Sequence, residues 1–447
     1  MKLVKSLLLG SAAGIAAVAG AQAADLPSRK AAPVEYVRVC SAYGAGFFYI
    51  PGTDTCLRVG GRVRAEYTIG SRYGDNQDAY GMRARGRLNV DARTATAYGT
   101  LRTFFRYEIT NNSGMYQNTT PAGNQGITFA GQTHSTASTT STVLDLAFIQ
   151  FGPITAGRAQ SFFDFYANDF GFSTLRTADS RLNLLAYTAT FGSGFSATVS
   201  LEDRTSGTGA RENSFGFGSG QLGQDFPDIV ASVRVDQGWG SAQLSGALAQ
   251  RSAGNIDAVT GVITNKQDEW GWAIQGGVKI NLPMLAAGDH LFLQAAYADG
   301  ALGYLGWGGN AGIGRTGALA ISDLGVNPLT GQVDSSTGWS VVAGLRHFWT
   351  PQLRSELYGS YSEIKLANRV ALIGGGFSTL DPKELIVAGN LIWSPVSGLD
   401  IGVEVLYTKV ELKNSVQAVN NIGLRNTGRF ISSEDAWAGR LRIQRDF

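Results

Sequence analysis

Side chains alternate in character with a period of two along residues 81–108, and this alternation constrains the fold more than any other feature of the sequence. In the first half, one face carries Arg83, Arg85 and Arg87, and the opposite face is apolar. After a short turn near residues 95–97, the polar face carries Tyr98, Thr100, Arg102, Phe104, Arg106 and Glu108. Because successive side chains of a β-strand point to opposite faces, this stretch predicts an antiparallel hairpin with one charged and one apolar face.

The length of these two strands and the density of arginine on one face indicate a barrel in a membrane. A tilted strand needs about ten residues to cross a bilayer. An arginine that faced lipid at the midplane would cost roughly 2–4 kcal/mol, so three in one row must face water. We therefore expect the apolar face to contact lipid and the arginines to line an aqueous lumen. A solvated face on a soluble sheet is the alternative.

The first 23 residues have the features of a cleaved secretion signal. Lys2 and Lys5 precede a short apolar run, which ends in an Ala-Gln-Ala cleavage site at residues 21–23. The run is short for a membrane anchor, and no later window has about 18 uninterrupted apolar residues. The sequence therefore predicts an exported protein from which residues 1–23 are removed.

Short alternating segments continue from Leu57 to the last residue without a linker that would separate domains. We count about sixteen candidate strands, joined alternately by short turns and long loops. The long loops lie near residues 204–226, 251–268 and 300–336. An even strand number and alternating connection lengths are typical of bacterial outer-membrane barrels. Residues 57–447 are therefore predicted to form one all-β transmembrane antiparallel barrel, which follows a lead-in and a loop at residues 24–56.

Cys40 and Cys56 enclose a segment rich in glycine and aromatic residues. In an exported protein, such a closely spaced pair predicts a disulfide. Closing a loop of about 15 residues stabilises a fold by roughly 3 kcal/mol in the chain-entropy model. A redox or metal role is the weaker alternative, because the sequence has no CxxC motif and no histidine nearby.

Residues 161–180 interrupt the alternation between the fifth and the sixth candidate strand. The segment contains six aromatic residues and the three acids Asp164, Asp169 and Asp179. It is too apolar for a loop that extends into water. Aromatic side chains can hold a loop against a wall while carboxylates meet arginines. Another membrane-crossing strand is the alternative, but Asn168 interrupts the pattern that a strand requires.

Three parts of the chain resemble the general porins of alphaproteobacteria of the rhizobial type. They are VCSAYGAGFFYIPGTDTCLRVGG at residues 39–61, FGPITAGRAQSFFDFY at residues 151–166 and the terminal Phe447. The resemblance covers the mature chain and implies a sixteen-stranded homotrimer in the bacterial outer membrane, through which small hydrophilic solutes and ions diffuse. It also implies contacts with outer-membrane lipid and lipopolysaccharide, and it makes Phe447 the signal for the barrel-assembly machinery.

The resemblance also assigns the residues of the pore. It makes residues 161–180 a constriction loop folded into the lumen, with Asp164, Asp169 and Asp179 as its acids. The basic wall opposite consists of Arg58, Arg62, Arg64, Arg83, Arg85, Arg87, Arg102 and Arg106. A field between the two sides would orient polar solutes and set the selectivity. From the resemblance we expect a weak preference for cations, although the motifs do not fix which charges lie at the narrowest point.

Other functions compete with a general-diffusion channel. A substrate-specific channel for sugars or dicarboxylates would need aromatic rings along the lumen, but most aromatic residues fall on the lipid face. An enzyme is not expected, because His134, His290 and His347 lie on separate segments without an orienting partner. A structural or adhesive barrel with a blocked lumen would differ only in conductance. The net charge of +2 gives no argument for a nucleic-acid partner, and no motif for a cofactor or a metal is present.

Overall fold

The computed structural model describes most of the chain and divides it into two compact units. The smaller unit comprises residues 1–56 and the larger unit residues 57–447. The described residues are 38–72, 77–116, 132–133, 135–165, 170–205, 219–221, 223–256, 260, 262–307, 310–311, 319–326, 332–367, 370–371, 377–417 and 430–447.

A disulfide between Cys40 and Cys56 closes the described part of the smaller unit. Both cysteines and Phe47 are buried. A short 3-10 helix at Ser41–Tyr43 and a two-residue strand at Phe48–Tyr49 lie between the cysteines. The predicted disulfide is confirmed.

Sixteen strands of the described chain form a closed antiparallel barrel. They are β1 (Thr55–Gly70), β2 (Tyr80–Thr96), β3 (Gly99–Gly114), β4 (Thr139–Phe151), β5 (Ile154–Gln160), β6 (Arg181–Gly192), β7 (Phe195–Glu202), β8 (Asp228–Gln237), β9 (Gly240–Ile256), β10 (Ile263–Asn281), β11 (His290–Asp299), β12 (Thr337–Thr350), β13 (Leu353–Lys365), β14 (Lys383–Val396), β15 (Leu399–Gln417) and β16 (Phe430–Asp446). Each strand pairs with the next, and β16 returns to β1, where Arg62 lies opposite Asp446. Closure suits a bilayer because lipid cannot satisfy the hydrogen bonds of an open sheet edge. The predicted barrel and strand number are confirmed.

The connections differ in length between the two ends of the barrel. At one end of the barrel, two-residue turns join the strand pairs β2–β3, β4–β5, β6–β7, β8–β9, β12–β13 and β14–β15, and a longer connection joins β10 to β11. Short turns lie on the periplasmic side of bacterial barrels. The loop predicted near residues 251–268 is shorter in the structure, because β9 continues to Ile256 and β10 begins at Ile263. The sequence of this stretch mixes polar and apolar residues without a period of two, so the alternation that marks a spanning strand is lost.

The outward face of the barrel is an apolar surface with aromatic residues near the strand ends. Exposed aliphatic residues such as Leu244, Leu293 and Val341 cover its middle. Exposed tryptophans are Trp239, Trp270, Trp272, Trp339, Trp349, Trp393 and Trp437. Aromatic belts of this kind lie at the level of the lipid headgroups. Within the described ranges, no helix is both long and apolar enough to span a membrane.

Two connections fold against the inner wall of the barrel. The first inner segment comprises residues 161–165 and 170–180, between β5 and β6. The second inner segment comprises residues 301–307 and 321–325, between β11 and β12, and all of these residues are buried. The sequence predicted a loop at residues 300–336 but not this inward path. Inward-facing alanines make room for the segment, namely Ala247, Ala249, Ala273, Ala296 and Ala298.

Candidate functional site

The arginines that the alternation assigns to one face line the inner side of β1–β3. Arg83 lies opposite Asn112 and Arg85 opposite Thr110, and each arginine Nε donates to the side chain across the ladder at 2.8 and 3.0 Å. We call nine residues the arginine wall: Arg58, Arg62, Arg64, Arg83, Arg85, Arg87, Arg93, Arg102 and Arg106. The wall thus brings together the eight arginines named above as the basic wall and Arg93, which the period of two places on the same face.

Five carboxylates lie among these arginines, and they belong to Glu66, Asp91, Glu108, Asp145 and Asp446, the last of which binds Arg62 at 2.5 Å. The nearest N–O distances are 2.5 Å for Arg87–Glu108, 3.5 Å for Arg85–Glu108, 2.8 Å for Arg93–Asp91, 3.0 Å for Arg102–Asp91, 3.7 Å for Arg83–Glu66 and 3.4 Å for Arg106–Asp145. Since nine guanidinium groups face five carboxylates, this part of the inner wall carries a surplus of positive charge.

The two kinds of charge differ in their access to water. The side chains of Arg93, Arg102 and Arg106 are 26%, 28% and 24% exposed, whereas those of Asp91 and Asp145 are 10% and 6% exposed. Asp91 and Asp145 therefore lie behind the guanidinium groups that they bind, whereas Asp446 is 43% exposed and its partner Arg62 is 26% exposed. A solute beside the wall meets N–H donors that stay protonated at any physiological pH.

Asp145 is a wall residue that a strict period of two does not predict. The register between β3 and β4 shifts between Arg106 and Tyr107. This bulge places one extra residue on β4 and turns the Asp145 side chain inward. Its carboxylate is buried and contacts both Arg106 and Arg181, the latter at 3.3 Å. No local sequence signal marks the bulge.

The first inner segment leaves and rejoins the wall at one place, which we call its root. There the backbone N–H of Ser161 donates to the carbonyl of Ser180 at 2.9 Å. Gln160 Nε2 donates to Asp164 Oδ2 at 3.1 Å and to Asp179 Oδ1 at 3.0 Å. Asp179 also pairs with the guanidinium group of Arg181, the first residue of β6, at 3.5 Å. Both acids are buried, at 7% and 0% exposure, so they face the root of the segment and not the lumen water. Asp169 lies outside the described residues.

The far part of the first inner segment contacts β15 and β16. Phe172 N donates to Glu404 Oε2 at 2.7 Å, and Ser173 Oγ donates to Glu404 Oε1 at 2.6 Å. The carbonyl of Phe172 accepts hydrogen bonds from Arg440 at 2.5 Å and from Arg442 at 3.1 Å. A segment that is rooted between β5 and β6 and reaches β15 and β16 crosses the lumen.

Arg176 fixes the returning part of the segment. Its guanidinium group binds the Glu384 carboxylate on β14 at 2.5 and 2.8 Å. It also donates to Gly306 O at 2.7 Å and lies 3.9 Å from the centre of the Trp307 ring. The Arg176 and Glu384 side chains are only 4% and 3% exposed. A bidentate pair of this kind is both strong and directional, so Arg176 holds the segment at one defined place on the wall.

A cavity of about 350 Å³ lies beside the arginine wall near the periplasmic ends of β1–β3. Six guanidinium groups line it, those of Arg58, Arg62, Arg87, Arg93, Arg102 and Arg106. The carboxylates of Asp91 and Asp446 are also in its lining. This volume admits a small hydrated solute, and the lining offers it mainly hydrogen-bond donors.

Phe447 completes the seam that closes the barrel. Its backbone exchanges two hydrogen bonds with Gly61, at 2.9 and 3.1 Å. A Cβ at position 61 would collide with the Phe447 ring, so this close approach requires glycine. The Phe447 side chain is 69% exposed at the end of the barrel.

Two of the three histidines lie near the longer periplasmic connection. His290 Nδ1 is 3.1 Å from Gly288 O, and His347 Nδ1 is 2.6 Å from Asp289 Oδ2. His134 lies outside the described residues. Among the residues that the structure describes, no group of three His, Cys, Asp or Glu side chains could hold a metal ion.

Comparison with known proteins relates the chain to porins over nearly its full length. Residues 25–439 match the family model described as "Porin subfamily". The porin Omp2b of Brucella suis biovar 1 is 30% identical over 462 residues, which cover 99% of both chains. Omp2b of Brucella melitensis biotype 1 is 29% identical over the same length. The outer membrane channel DcaP of Acinetobacter baumannii is 17% identical, and its structure matches with a TM-score of 0.62 over 89% of this chain and 99% of its own.

The family match, the closed barrel and the charged inner wall lead to one assignment. The match spans almost all of the barrel, and the full-length relatives are porins. The chain belongs to the porin subfamily and is a β-barrel general-diffusion channel of the bacterial outer membrane.

Proposed function

We propose that small hydrophilic solutes and ions pass through a water-filled path between the first inner segment and the arginine wall. The observation that carries this proposal is the orientation of charges on the wall, since the guanidinium groups of Arg93, Arg102 and Arg106 face water and the carboxylates that they bind lie behind them. Residues 161–180 serve as the constriction loop. The two inner segments pack against β8–β16, which leaves the side of β1–β4 for passage.

The path favours anions over cations. Its walls are a low-dielectric barrel that concentrates the field of the surplus guanidinium groups, and the balance of charges along a pore sets its ion selectivity. The weak cation preference expected from the resemblance requires loop carboxylates that face the lumen. Asp164 and Asp179 are buried beside Gln160, so they contribute little to the field in the path. Asp169 stays a predicted constriction acid.

The arginine wall acts as a row of fixed donors. Arg102 lies over the rings of Phe104 and Phe148, at 5.1 and 5.5 Å from their centres, and Arg106 lies over Phe104 at 5.5 Å. Stacking and ion pairs hold these side chains in place. A hydrated anion exchanges part of its water shell for guanidinium N–H contacts and then leaves, because conduction requires binding that is weak enough to release the solute.

A channel specific for sugars or dicarboxylates is the second candidate. The observation that favours it is the stacked pair of Phe104 and Phe148, whose ring centres are 5.4 Å apart on the inner wall. A sugar ring could stack on this pair. Two rings do not form the continuous line that such a channel would need, so we rank it below general diffusion. We place catalysis and a blocked, adhesive barrel lower still.

The proposed partners follow from family membership and from the outward surface. Three copies form a homotrimer, and the apolar belt contacts outer-membrane lipid, with lipopolysaccharide around the outer rim. Phe447 is proposed as the signal that the barrel-assembly machinery binds, which its exposed ring supports.

Planar-bilayer recording of the refolded protein tests the proposal, with heat-unfolded protein as the control. For general diffusion we expect openings in groups of three and a conductance that rises in proportion to KCl concentration. Saturation, with block by an added sugar or dicarboxylate, would favour the specific channel. Absence of conductance from a barrel whose gel mobility is still heat-modifiable would contradict both.

A further inference from the structure

We infer that the second inner segment is a fixed plug that closes the extracellular half of the lumen along β8–β16 and thereby sets the size limit of the channel. Its described residues, 301–307 and 321–325, are all buried. This inference rests on the proposed function in one respect, because it requires that the barrel conducts. It concerns a different part of the lumen from the arginine wall.

An apolar surface on the inner wall packs against the plug. Leu302, Tyr304, Leu305, Trp307 and Ile321 are each 0% exposed and belong to one core cluster. The wall contributes small or aliphatic residues from β8, β9, β10, β11, β13, β15 and β16 to the same cluster, among them Val230, Ala249, Ala298, Ile364, Val410 and Ala436. An aqueous lumen would favour polar residues at inward positions. The sequence of the wall is therefore adapted to a packed segment and not to water.

A buried network of charges ties the plug to β8 and β9. Arg251 Nε binds Asp323 Oδ2 of the plug at 3.0 Å, and Arg251 also lies 3.5 Å from Asp228 Oδ1. Arg204 binds the same Asp228 carboxylate at 2.5 Å, and the Tyr304 hydroxyl donates to its other oxygen at 2.8 Å. The three side chains of Arg251, Asp228 and Asp323 are 0% exposed. A buried charge that loses its partner is strongly unfavourable, so the network holds the plug in one position.

The plug also contacts the first inner segment directly. Phe163 and Tyr304 pack edge to face with ring centres 4.6 Å apart. Gly306 has a φ of +78°, and a Cβ there would collide with the backbone of Thr177, so the two segments meet at a distance that only glycine allows. Trp307 Nε1 donates to Ser362 Oγ on β13 at 2.7 Å. The two segments and the wall therefore form one continuous core, and solutes are confined to the side of the arginine wall.

Excision of the plug tests this inference most directly. Residues 303–321 are replaced by a short glycine-serine linker, and folding is checked by heat-modifiable gel mobility. We expect single-channel conductance to rise about twofold, because conductance follows pore width, and we expect larger neutral sugars to enter proteoliposomes. A folded, excised barrel with unchanged conductance and size limit would overturn the inference. A wild-type barrel without conductance would instead refute the proposed function.

Point variants keep the test valid if the excised chain does not fold. Asp323→Asn leaves a net positive charge buried in the network, so we expect an added conductance level above that of the wild type. The matched control is the double variant Arg251→Met with Asp323→Leu, which removes both charges and leaves Arg204 paired with Asp228. We expect it to conduct like the wild type. Equal, wild-type conductance from folded Asp323→Asn and from the control would overturn the inference.

Discussion

Replacing Arg176 by methionine should release the first inner segment from β14 without unfolding the barrel. The variant keeps a long apolar side chain over Trp307 but leaves the Glu384 carboxylate, which is 3% exposed, without its cation. Removing one partner of a buried pair costs about 3–5 kcal/mol. Because about 1.4 kcal/mol is a factor of ten, the ratio of anchored to released segment should fall by roughly two to three and a half orders of magnitude. The barrel itself is held by the closed set of strand pairings, which this change does not touch.

Single-channel recording measures this release. Wild-type channels should stay at one open level, whereas Arg176→Met channels should switch between several levels as the segment leaves and regains its place. The double variant Arg176→Met with Glu384→Leu removes the uncompensated charge and should restore steady openings, since apolar residues often replace a buried pair at little cost.

A control on the same strand separates release from a general effect of lost charge. Lys383 pairs with Glu363 at 3.4 Å, and both side chains are partly exposed, at 44% and 27%. Exposed pairs of this kind contribute about 0–1 kcal/mol, so Lys383→Met should leave the recordings unchanged. If folded Arg176→Met channels were as steady as those of Lys383→Met, the anchoring role of Arg176 would be refuted.

Three further predictions concern the wall, the disulfide and the periplasmic connection. Replacing Arg83, Arg85 and Arg87 by glutamine should shift the reversal potential in a KCl gradient toward the equilibrium potential of potassium. An unchanged reversal potential would place the path elsewhere. Cys40→Ser should lower the thermal stability of the folded chain, by about 2–4 kcal/mol in free energy, with normal conductance; equal melting of both forms would argue against a stabilising bond. Burial by itself raises the pKa of the Asp289 carboxyl, but hydrogen bonds from the His347 ring and the Phe348 N–H outweigh it and lower the pKa below the usual range. This carboxylate therefore stabilises the fold above about pH 4, and the contribution is lost as the pH falls through the lowered pKa. Acid titration of Asp289→Asn should show a smaller loss of stability than the wild type, and identical titrations would exclude the effect.

The barrel and its inner arginines could be predicted because a spanning strand lies between two solvents of opposite polarity. Lipid on one side and water on the other impose a period of two, and Arg83, Arg85 and Arg87 follow it without interruption. Where that condition fails, the sequence becomes uninformative. Ala247 and Ala249 face a packed segment on the inside, so both faces of β9 are apolar there and the alternation no longer separates lumen from lipid.

The contacts of the two inner segments could not be predicted for a different reason. Arg176 and Glu384 are 208 residues apart, and Arg251 and Asp323 are 72 residues apart. Ion pairs at such separations leave no local pattern in one sequence. Loss of alternation at residues 161–180 indicated that the chain leaves the wall, but not which strands it reaches.

The reversal potential of the wild-type channel across a KCl gradient tests the central claim most directly. If the path runs along the arginine wall, chloride should cross more readily than potassium, and the potential should shift toward the equilibrium potential of chloride. A shift toward the equilibrium potential of potassium would mean that carboxylates, not the guanidinium groups of the wall, set the field in the open path, and it would contradict the account.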